Sequence, residues 1–409
     1  MLNKKKLILF TAGFPFGTSE PFLKTELNYL CNHFDQIIII AVNPESEIRD
    51  EIPEKCSLQI IIHKEKLFHK IYAALNIFDR LFWTELAVIV YRYKKRINRT
   101  IIATMLMGLY RAKKIKKYVV EHFDLEENTN TTLYSYWCDD TALGLALLQN
   151  KYQNIKTCSR IHGWDVYFEA NTINYLSYRH FIAQQLKAIF SISKQGKNYC
   201  ENHWKINNCS KIEVSRLGVV SQNFLTLTEE NIIVSCSNMI PLKRVELIIN
   251  ALSKLKHIRI KWVHFGDGPE FKRIEKLCNE TLSSNITWEL KGWVKNSDIL
   301  QWYENNKPSL FINVSSSEGV PVSIMEAMSF GIPAVATDVG GNSEIVNTEN
   351  GYLISSNPAI IEISDTIESY FNLPLNIKYE KHVNAFNTWR KCYDSDLNYK
   401  SFSNILINL

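Results

Sequence analysis

The chain has 409 residues, of which 46% are hydrophobic and 22% are charged, and its net charge is +5. Such a length exceeds the range over which one hydrophobic core usually grows, so we expect two domains, and the composition excludes a disordered or fibrous protein. The nine cysteines never occur as C-x-x-C, which argues against a disulfide framework or a zinc site and fits a reducing cytoplasm.

The first residues combine a lysine cluster with an apolar run at 7–10. This run is too short for a secretory signal, so it predicts a first β-strand. No stretch reaches the roughly eighteen apolar residues that cross a bilayer. The expected location is the cytoplasm, and peripheral attachment to the inner face of the cell membrane is left open.

Short apolar runs alternate with segments of helical period, and this alternation occurs twice, which is typical of parallel sheets flanked by helices. The predicted strands are 6–11, 36–42, 58–63, 132–136 and 188–192, followed by 232–237, 258–265, 286–290, 310–314 and 334–337. We predict an N-terminal acceptor-binding domain at 1–220, a nucleotide-sugar-binding domain at 221–385, and a helical segment at 386–409 that packs back on the first domain.

The basic residues are concentrated in one segment. Residues 64–117 contain fourteen Lys or Arg and three acids, a net charge of +11. Aromatic and aliphatic residues lie between these cations, as in helices that bind an anionic membrane or a lipid-linked, pyrophosphate-bearing acceptor. The same pattern fits a helix that buries its apolar face in its own domain and solvates its lysines. Nucleic acid is disfavoured as a partner because no recognition motif accompanies the charge.

The stretch 315–346 carries the clearest site. A strand runs into a polar loop and then into a helix at about 322–330 that is apolar nearly all round except for Glu326. A buried carboxylate is costly without a partner, which predicts either a ligand hydroxyl or a neighbouring loop that Glu326 caps. Glu318 lies at the mouth of the loop, where open α/β sheets bind ligands. The helix start near Ser323 suits a phosphate.

The segment EGVPVSIMEAMSFGIPAVAT, followed by Gly340 and Gly341, resembles the donor-site signature of retaining GT-B glycosyltransferases of family 4, the glycosyl transferases group 1. The resemblance implies an α/β fold of two Rossmann-like doubly wound domains facing a central cleft. It also implies that Glu318 contacts the hydroxyls of the donor sugar and that Glu326 binds the ribose. The predicted donor-binding residues in this segment are Gly319, Val320, Ser323 and Glu326.

Two other segments are similar to the same family. In SCSNMIPLKRVELIINAL, Lys243 stands at the position that neutralises the donor diphosphate. The family often has an arginine five residues earlier, where this chain has Asn238, and Arg244 could compensate only by turning inward. In HFGDGPEF, Gly266 either lets the backbone approach the nucleotide or makes a tight turn.

The N-terminal half has two further candidates. The segment SRIHGWDVYFE resembles the R-x-H-G-x-D stretch of the family, which implies that His162 contacts the transferred sugar. A hydrogen-bonded core histidine is the alternative. After the first strand, Gly17, Thr18 and Ser19 either form a loop over the diphosphate or simply connect two elements.

The expected function is therefore retaining transfer of a sugar from a nucleoside diphosphate sugar to a saccharide, with His162 and Glu318 as catalytic residues. The acceptor is expected to be lipid-linked, and the resemblance implies synthesis of a capsule, O-antigen or exopolysaccharide. No cofactor and no metal are expected, because Lys243 supplies the cation. The alternatives are a sugar-nucleotide epimerase or hydrolase of the same fold, and a non-catalytic membrane-associated sugar-nucleotide-binding protein. An oxidoreductase is disfavoured because no strand is followed by G-x-G-x-x-G and a distant acid.

Overall fold

The computed structural model describes residues 4–17, 20, 22–44, 47–48, 50–62, 67–125, 130–204 and 211–409. It divides into two compact units. Unit 1 runs to Arg216 and also includes Leu397–Leu409, and unit 2 is Leu217–Asp396. Each unit has its own parallel sheet with helices, so the predicted α/β class is confirmed.

The described part of unit 1 forms a parallel sheet with the strand order β3-β2-β1-β4-β5-β6-β7. Its strands are β1 (Lys6–Thr11), β2 (Gln36–Val42), β3 (Cys56–Ile61), β4 (Thr131–Ser135), β5 (Lys156–Ile161), β6 (Ala188–Ser191) and β7 (Ile212–Val214). Its helices are α1 (Leu23–His33), α2 (Leu67–Ala74), α3 (Arg80–Ala87), α4 (Arg99–His122), α5 (Asp140–Gln149), α6 (Arg179–Gln185) and α7 (Lys194–His203).

The strand β1 shows why this sheet is buried on both faces. Leu7 and Leu9 point into a cluster with α1, whereas Ile8 and Phe10 point into a second cluster with α4 and α5. Successive side chains of a strand alternate between faces, so an apolar run such as KLILFT needs cover on both sides. The helices on the two faces provide that cover.

The described part of unit 2 forms a parallel sheet with the order β10-β9-β8-β11-β12-β13. Its strands are β8 (Ile232–Cys236), β9 (Ile260–Phe265), β10 (Ile286–Leu290), β11 (Leu310–Asn313), β12 (Ala334–Thr337) and β13 (Gly351–Ile354). The helices after residue 216 are α8 (Val245–Leu252), α9 (Phe271–Thr281), α10 (Asn296–Asn306), α11 (Val322–Ser329), α12 (Asn342–Ile345), α13 (Ile360–Phe371), α14 (Leu375–Cys392) and α15 (Ser395–Asn408). The last of them, α15, belongs to unit 1 from Leu397 onward.

Both strand orders reverse direction once. In unit 1 the reversal lies between β1 and β4, and in unit 2 it lies between β8 and β11. Helices that follow the strands on the two sides of such a point leave from opposite faces of the sheet, so a crevice opens at the carboxyl ends of these two strands. Each unit therefore has one place where its topology favours a ligand.

The ten predicted strands are all present, with ends that differ by at most two residues except at 63, which lies outside the described residues. The sequence patterns missed β5, β7 and β13. The strand β5 contains Thr157, Ser159 and Arg160, all fully buried, so its polar composition hid a core position. The strand β7 has only 3 residues, and β13 begins with a glycine and has two half-buried residues in its middle, so neither shows a clear apolar run.

The C-terminal segment divides at Leu397. The earlier part stays with unit 2, because the indole N–H of Trp389 donates to the carbonyl of Val219 at 3.3 Å. The later part lies in unit 1, where the ring of Phe402 packs under the guanidinium of Arg160 at 4.0 Å. The segment that joins unit 1 is therefore shorter than the predicted 386–409.

Candidate functional site

Two predicted residues meet at the switch point of the unit 2 sheet. Lys243 ends a short 3-10 turn after β8, and Glu318 lies in the loop after β11. The Nζ of Lys243 is 2.6 Å from Oε1 of Glu318, and both side chains are mostly buried. Asn313, the last residue of β11, donates its Nδ2 to the same oxygen at 3.1 Å. The topology thus places a cation and a carboxylate at the carboxyl ends of the two central strands.

Two glycines hold the Glu318 loop in place. Gly340 has a φ of +51°, and a Cβ there would be 1.8 Å from the carbonyl oxygen of Glu318. The next residue, Gly341, donates its N–H to the carbonyl of Gly319 at 2.7 Å. Val320 is buried beside Gly341. The loop that presents Glu318 is therefore fixed by backbone contacts that no residue with a side chain would permit.

Glu326 lies in α11 and is 9% exposed. Burial raises the pKa of its carboxyl to about 7, although a hydrogen bond from Asn296 opposes the rise. Asn296 begins α10 and donates its Nδ2 to Oε1 of Glu326 at 2.8 Å. A carboxyl that titrates near neutrality can accept hydrogen bonds from ligand hydroxyls without a full charge in the apolar interior. Ser323, near the start of the same helix, is half-buried.

The site also contains two polar residues that the sequence patterns missed, Asn296 and Asn313. Each orients one oxygen of a predicted glutamate. Asn313 had one signal in the sequence, because it is the polar last residue of an otherwise apolar strand. Asn296 had none, because its link to Glu326 spans thirty residues.

Arg244 does not replace the missing cation at Asn238. Its guanidinium donates to the carbonyls of Val314 at 2.7 Å, Ser315 at 2.8 Å and Ser356 at 2.9 Å. These contacts tie the loop after β11 to the loop after β13. Arg244 therefore shapes the site from outside, and Lys243 is the basic residue paired with Glu318.

The two glycines of the G-x-G-P turn approach protein backbone. Gly266 has a φ of +144°, and a Cβ there would be 1.8 Å from the carbonyl oxygen of Ser237. A Cβ on Gly268 would be 2.5 Å from the carbonyl oxygen of Met239. The loops after β8 and β9 pack together through these contacts, which supports the tight-turn alternative for Gly266. Its predicted role in donor binding stays a prediction.

His162 lies in unit 1, just after β5. Its ring packs between Tyr136 at 4.6 Å and Trp137 at 4.5 Å between centroids. Within the described residues neither ring nitrogen has a hydrogen-bond partner, although both are buried. The nearest charge is Asp165, with Oδ2 at 3.9 Å from Nδ1. A buried imidazole with two unused nitrogens differs from the hydrogen-bonded core histidine that was the alternative, and it favours a ligand contact.

Arg160, which belongs to the same sequence motif, has a structural role. It forms a fully buried ion pair with Glu26 and donates to Oγ of Ser215 at 2.9 Å. Breaking such a pair leaves an uncompensated buried charge, so Arg160 contributes to the stability of unit 1.

The loop after β1 is organised by Glu20, another residue that the sequence patterns missed. The carboxylate of Glu20 accepts hydrogen bonds from the N–H groups of Ala12, Gly13 and Phe14 at 2.7–2.9 Å. Gly17 in this loop has a φ of +59°. Thr18 and Ser19, predicted to lie over the diphosphate with Gly17, fall outside the described residues.

The basic segment contains two different kinds of surface. The helix α4 buries one apolar stripe, including Met105, Leu109 and Ile115, as the second alternative predicted, and of its lysines two are exposed, Lys113 and Lys117, and two are half-buried, Lys114 and Lys116. Residues 67–97 differ, because ten of their large apolar side chains are exposed, among them Phe78 at 85% and Tyr91 at 83%. These ten are Phe68, Ile71, Tyr72, Leu75, Ile77, Phe78, Trp83, Val90, Tyr91 and Ile97. We refer to this set as the apolar-basic surface, since six Lys or Arg occur in the same range.

A cavity of about 810 Å³ lies at the opposite end of the unit 2 sheet from Lys243 and Glu318. Asn231 and Ser309 line it and immediately precede β8 and β11, so it opens at the amino ends of the strands. Within the described chain, no group of three or more His, Cys, Asp or Glu could hold a metal ion. None of the helices described has the length and apolarity required to span a membrane.

Comparison with known proteins identifies the type of domain in unit 2. The family model of the glycosyl transferases group 1 matches residues 221–387. The UDP-N-acetylglucosamine–peptide N-acetylglucosaminyltransferase GtfA subunit of Streptococcus agalactiae is 25% identical over 308 residues, which are 71% of this chain. The match covers 59% of the length of that relative.

Two solved structures resemble the whole chain. The lipopolysaccharide outer core galactosyltransferase WaaB has a TM-score of 0.67 at 14% identity, covering 99% of this chain and 100% of that one. Staphylococcus aureus TarM, solved with fondaparinux, alpha-GlcNAc-glycerol and UDP, also has a TM-score of 0.67 at 14% identity, with 99% and 100% covered. Residues 221–387 therefore form a glycosyl transferases group 1 domain, in a chain that has the GT-B fold of glycosyltransferases.

Proposed function

We propose that the chain is a retaining hexosyltransferase that moves a sugar from a UDP-sugar to a hydroxyl of a saccharide in surface polysaccharide synthesis. The observation that carries the proposal is the contact of Lys243 with Glu318 at the unit 2 switch point. A cation and a carboxylate at this point match the two ends of a sugar diphosphate, one anionic and one rich in hydroxyls. UDP is preferred as the carrier because it occurs in the name of the streptococcal relative and in the TarM complex.

Each residue has a defined part in the proposed donor complex. Lys243 binds the diphosphate, and since an ammonium has three protons it can keep Glu318 as a second partner. Glu318 accepts hydrogen bonds from the transferred sugar, and Glu326 accepts them from the ribose. The start of α11 near Ser323 adds N–H groups and a positive dipole end toward the diphosphate.

The proposed reaction exchanges one bond at the anomeric carbon. The bond from this carbon to the diphosphate oxygen breaks, and a bond to the acceptor oxygen forms on the same face. The proton of the acceptor hydroxyl passes to an oxygen of the leaving phosphate. Lys243 stabilises the charge that develops on that phosphate, which is the main catalytic task when the nucleophile is a neutral hydroxyl. His162 is proposed to contact the transferred sugar through a ring nitrogen. The alpha-GlcNAc-glycerol in the TarM complex supports retention, because common UDP-hexoses are α-linked.

Donor binding is tested by thermal unfolding of the full chain with UDP, GDP or ADP. A ligand at about 100 times its Kd stabilises the native state by about 2.7 kcal/mol, so UDP should raise Tm and the other two should not. Lys243→Ala and Glu326→Ala should fold and lose this response. Full transfer activity in both variants would remove the assignment.

Product analysis tests two parts of the proposal: retention at the anomeric carbon, and transfer rather than epimerisation or hydrolysis of the donor. NMR of the product from an α-linked UDP-sugar should show a new α-glycoside. Without an acceptor the donor should stay intact, apart from slow hydrolysis. Rapid conversion of the donor without an acceptor would favour the epimerase or hydrolase alternative.

We infer further that the acceptor is lipid-linked and that the apolar-basic surface meets an anionic membrane. Exposed aromatic side chains at this density are rare on soluble surfaces and usually mark an interaction site. The neighbouring Lys94, Arg96 and Arg99 are exposed as well, and cations beside apolar side chains are the pattern of interfacial segments.

Vesicle flotation tests this surface. The chain should float with vesicles containing phosphatidylglycerol and stay in solution with pure phosphatidylcholine. The double variant Phe78→Ser and Tyr91→Ser should lose flotation, whereas Leu375→Ser, a change of an exposed apolar side chain in unit 2, should keep it. Equal flotation of all three proteins would refute the assignment.

A further inference from the structure

We propose that Trp164 and Trp137 form a stacking platform for a pyranose ring of the acceptor saccharide, an inference that rests on the proposed transferase function. The two residues follow neighbouring strands of unit 1. Trp137 comes two residues after the end of β4, and Trp164 comes three residues after the end of β5. Since β4 borders the unit 1 switch point, both indoles lie at the edge of the sheet where its topology favours a ligand.

In this platform Trp137 is the fixed, half-buried ring, and Trp164 is the exposed ring that packs on it. Their ring centroids are 5.5 Å apart at an angle of 33°. Trp137 is half-buried, and its Nε1 donates to Oε1 of Glu20 at 2.7 Å. Because backbone N–H groups of the loop after β1 hold the carboxylate of Glu20 in turn, Trp137 has a fixed orientation. Trp164 rests on this fixed ring and is 46% exposed.

A sugar is the ligand that fits such a platform. One face of a pyranose presents several C–H groups with a partial positive charge, and the face of an indole is negative. Stacking therefore adds to the burial of apolar area, while the sugar hydroxyls stay free for hydrogen bonds. A membrane is less suitable, because the exposed charged residue near Trp164 in the chain is the acid Glu169, whereas Arg160 and Asp165 are both fully buried.

The position of His162 indicates that the stacked sugar belongs to the acceptor. The ring of His162 is 4.5 Å from that of Trp137, and its nitrogens are unpaired within the described residues. If His162 contacts the transferred sugar, a ring stacked on the adjacent indoles belongs to the next residue of the glycan. That residue is the one at the end of the acceptor.

The experiment compares acceptor and donor kinetics in three variants. The acceptor probes are octyl α- and β-pyranosides of glucose, galactose and N-acetylglucosamine, and release of UDP is measured. Trp164→Ala should raise KM for the best glycoside about tenfold, the upper range for one aromatic stack, and leave KM for the UDP-sugar unchanged. Trp164→Phe should recover most of the loss. Tyr379→Ala, an exposed aromatic change in unit 2, should alter neither value.

Saturation-transfer NMR of the same glycosides supplies a readout that does not need turnover. The C–H protons of one sugar face should receive most saturation in the wild type and lose it in Trp164→Ala. Unchanged acceptor kinetics and saturation in this variant would overturn the platform while the transferase function stands. A raised KM for the UDP-sugar in Trp164→Ala would also overturn the platform, since Trp164 would then contact the nucleotide. The platform would likewise be overturned if the wild type turns over its donor but binds none of the glycosides. A wild type with no UDP response would instead count against the proposed function.

Discussion

Replacement of Glu326 by glutamine should change how stability depends on pH. In the unfolded chain this carboxyl ionises near 4.5, but in the folded chain burial raises its pKa to about 7. Because the pKa is higher in the folded chain, the protonated carboxyl contributes to the free energy of unfolding. This contribution is fully present below pH 4.5 and is lost as the pH rises to 7. At about 1.4 kcal/mol for each pH unit, the full loss for the wild type between pH 4.5 and 7 is about 3.5 kcal/mol. The glutamine of Glu326→Gln cannot ionise, so the free energy of unfolding of this variant should not show this loss.

The assay is urea unfolding of the full chain at pH 5, 6, 7 and 8. The free energy of unfolding of Glu326→Gln minus that of the wild type should grow by about 2.5 kcal/mol across this range. The control Glu349→Gln removes an exposed carboxyl and should leave the difference flat. A constant difference for Glu326→Gln would show that this carboxyl is already ionised at pH 5, and the reasoning from burial would fail.

Ligand binding adds a second expectation for the same variant. Hydroxyls of the ribose would donate hydrogen bonds to the charged carboxylate and so favour ionisation. UDP should therefore stabilise the wild type more at pH 8 than at pH 5.5, and Glu326→Gln should lose this pH dependence. The same UDP response in both proteins at both pH values would show that Glu326 does not contact the bound nucleotide.

The remaining predictions concern single positions in each unit. Lys243→Ala should lower kcat by roughly a hundredfold or more, because the leaving diphosphate loses its cation, and the fold should persist in circular dichroism. Gly340→Ala should lower stability by at least about 1 kcal/mol and weaken UDP binding, since the added carbon meets the carbonyl of Glu318 at 1.8 Å; calorimetry with UDP measures both. Arg160→Ala should destabilise the protein by about 3–5 kcal/mol through the unpaired charge of Glu26, measured by urea unfolding, and a shift below 1 kcal/mol would contradict the buried pair.

Sequence motifs and their resemblance to a family located most residues of the candidate site in unit 2. The contact between Glu318 and Lys243 joins residues 75 positions apart, and their separate motifs located both of them. Asn296 and Asn313 were missed because an asparagine carries no motif until the fold shows which carboxylate it orients. The role of Arg244 was open in the sequence, since only the fold shows which carbonyls lie within its reach.

In unit 1 the sequence was less informative. His162 was found through a motif, but the lack of a partner for its ring nitrogens among the described residues follows from packing between Tyr136 and Trp137, which come from the loop after β4. Glu20, which organises the loop after β1 and fixes Trp137, had no pattern of its own. The basic segment showed one charge pattern, and the structure divided it into a helix that buries its apolar face and the exposed apolar-basic surface.

The sequence by itself determined the class of fold and ten of the thirteen strands in the described residues, and it singled out the segment with Glu318 and Glu326 as the candidate donor site, because strand and helix periods and glycine positions are local properties of the chain. The tertiary structure decided which charges are paired, which are buried and which aromatic rings stay exposed. These features depend on contacts between residues far apart in sequence, and the strand order that brings such residues together is a property of the whole sheet.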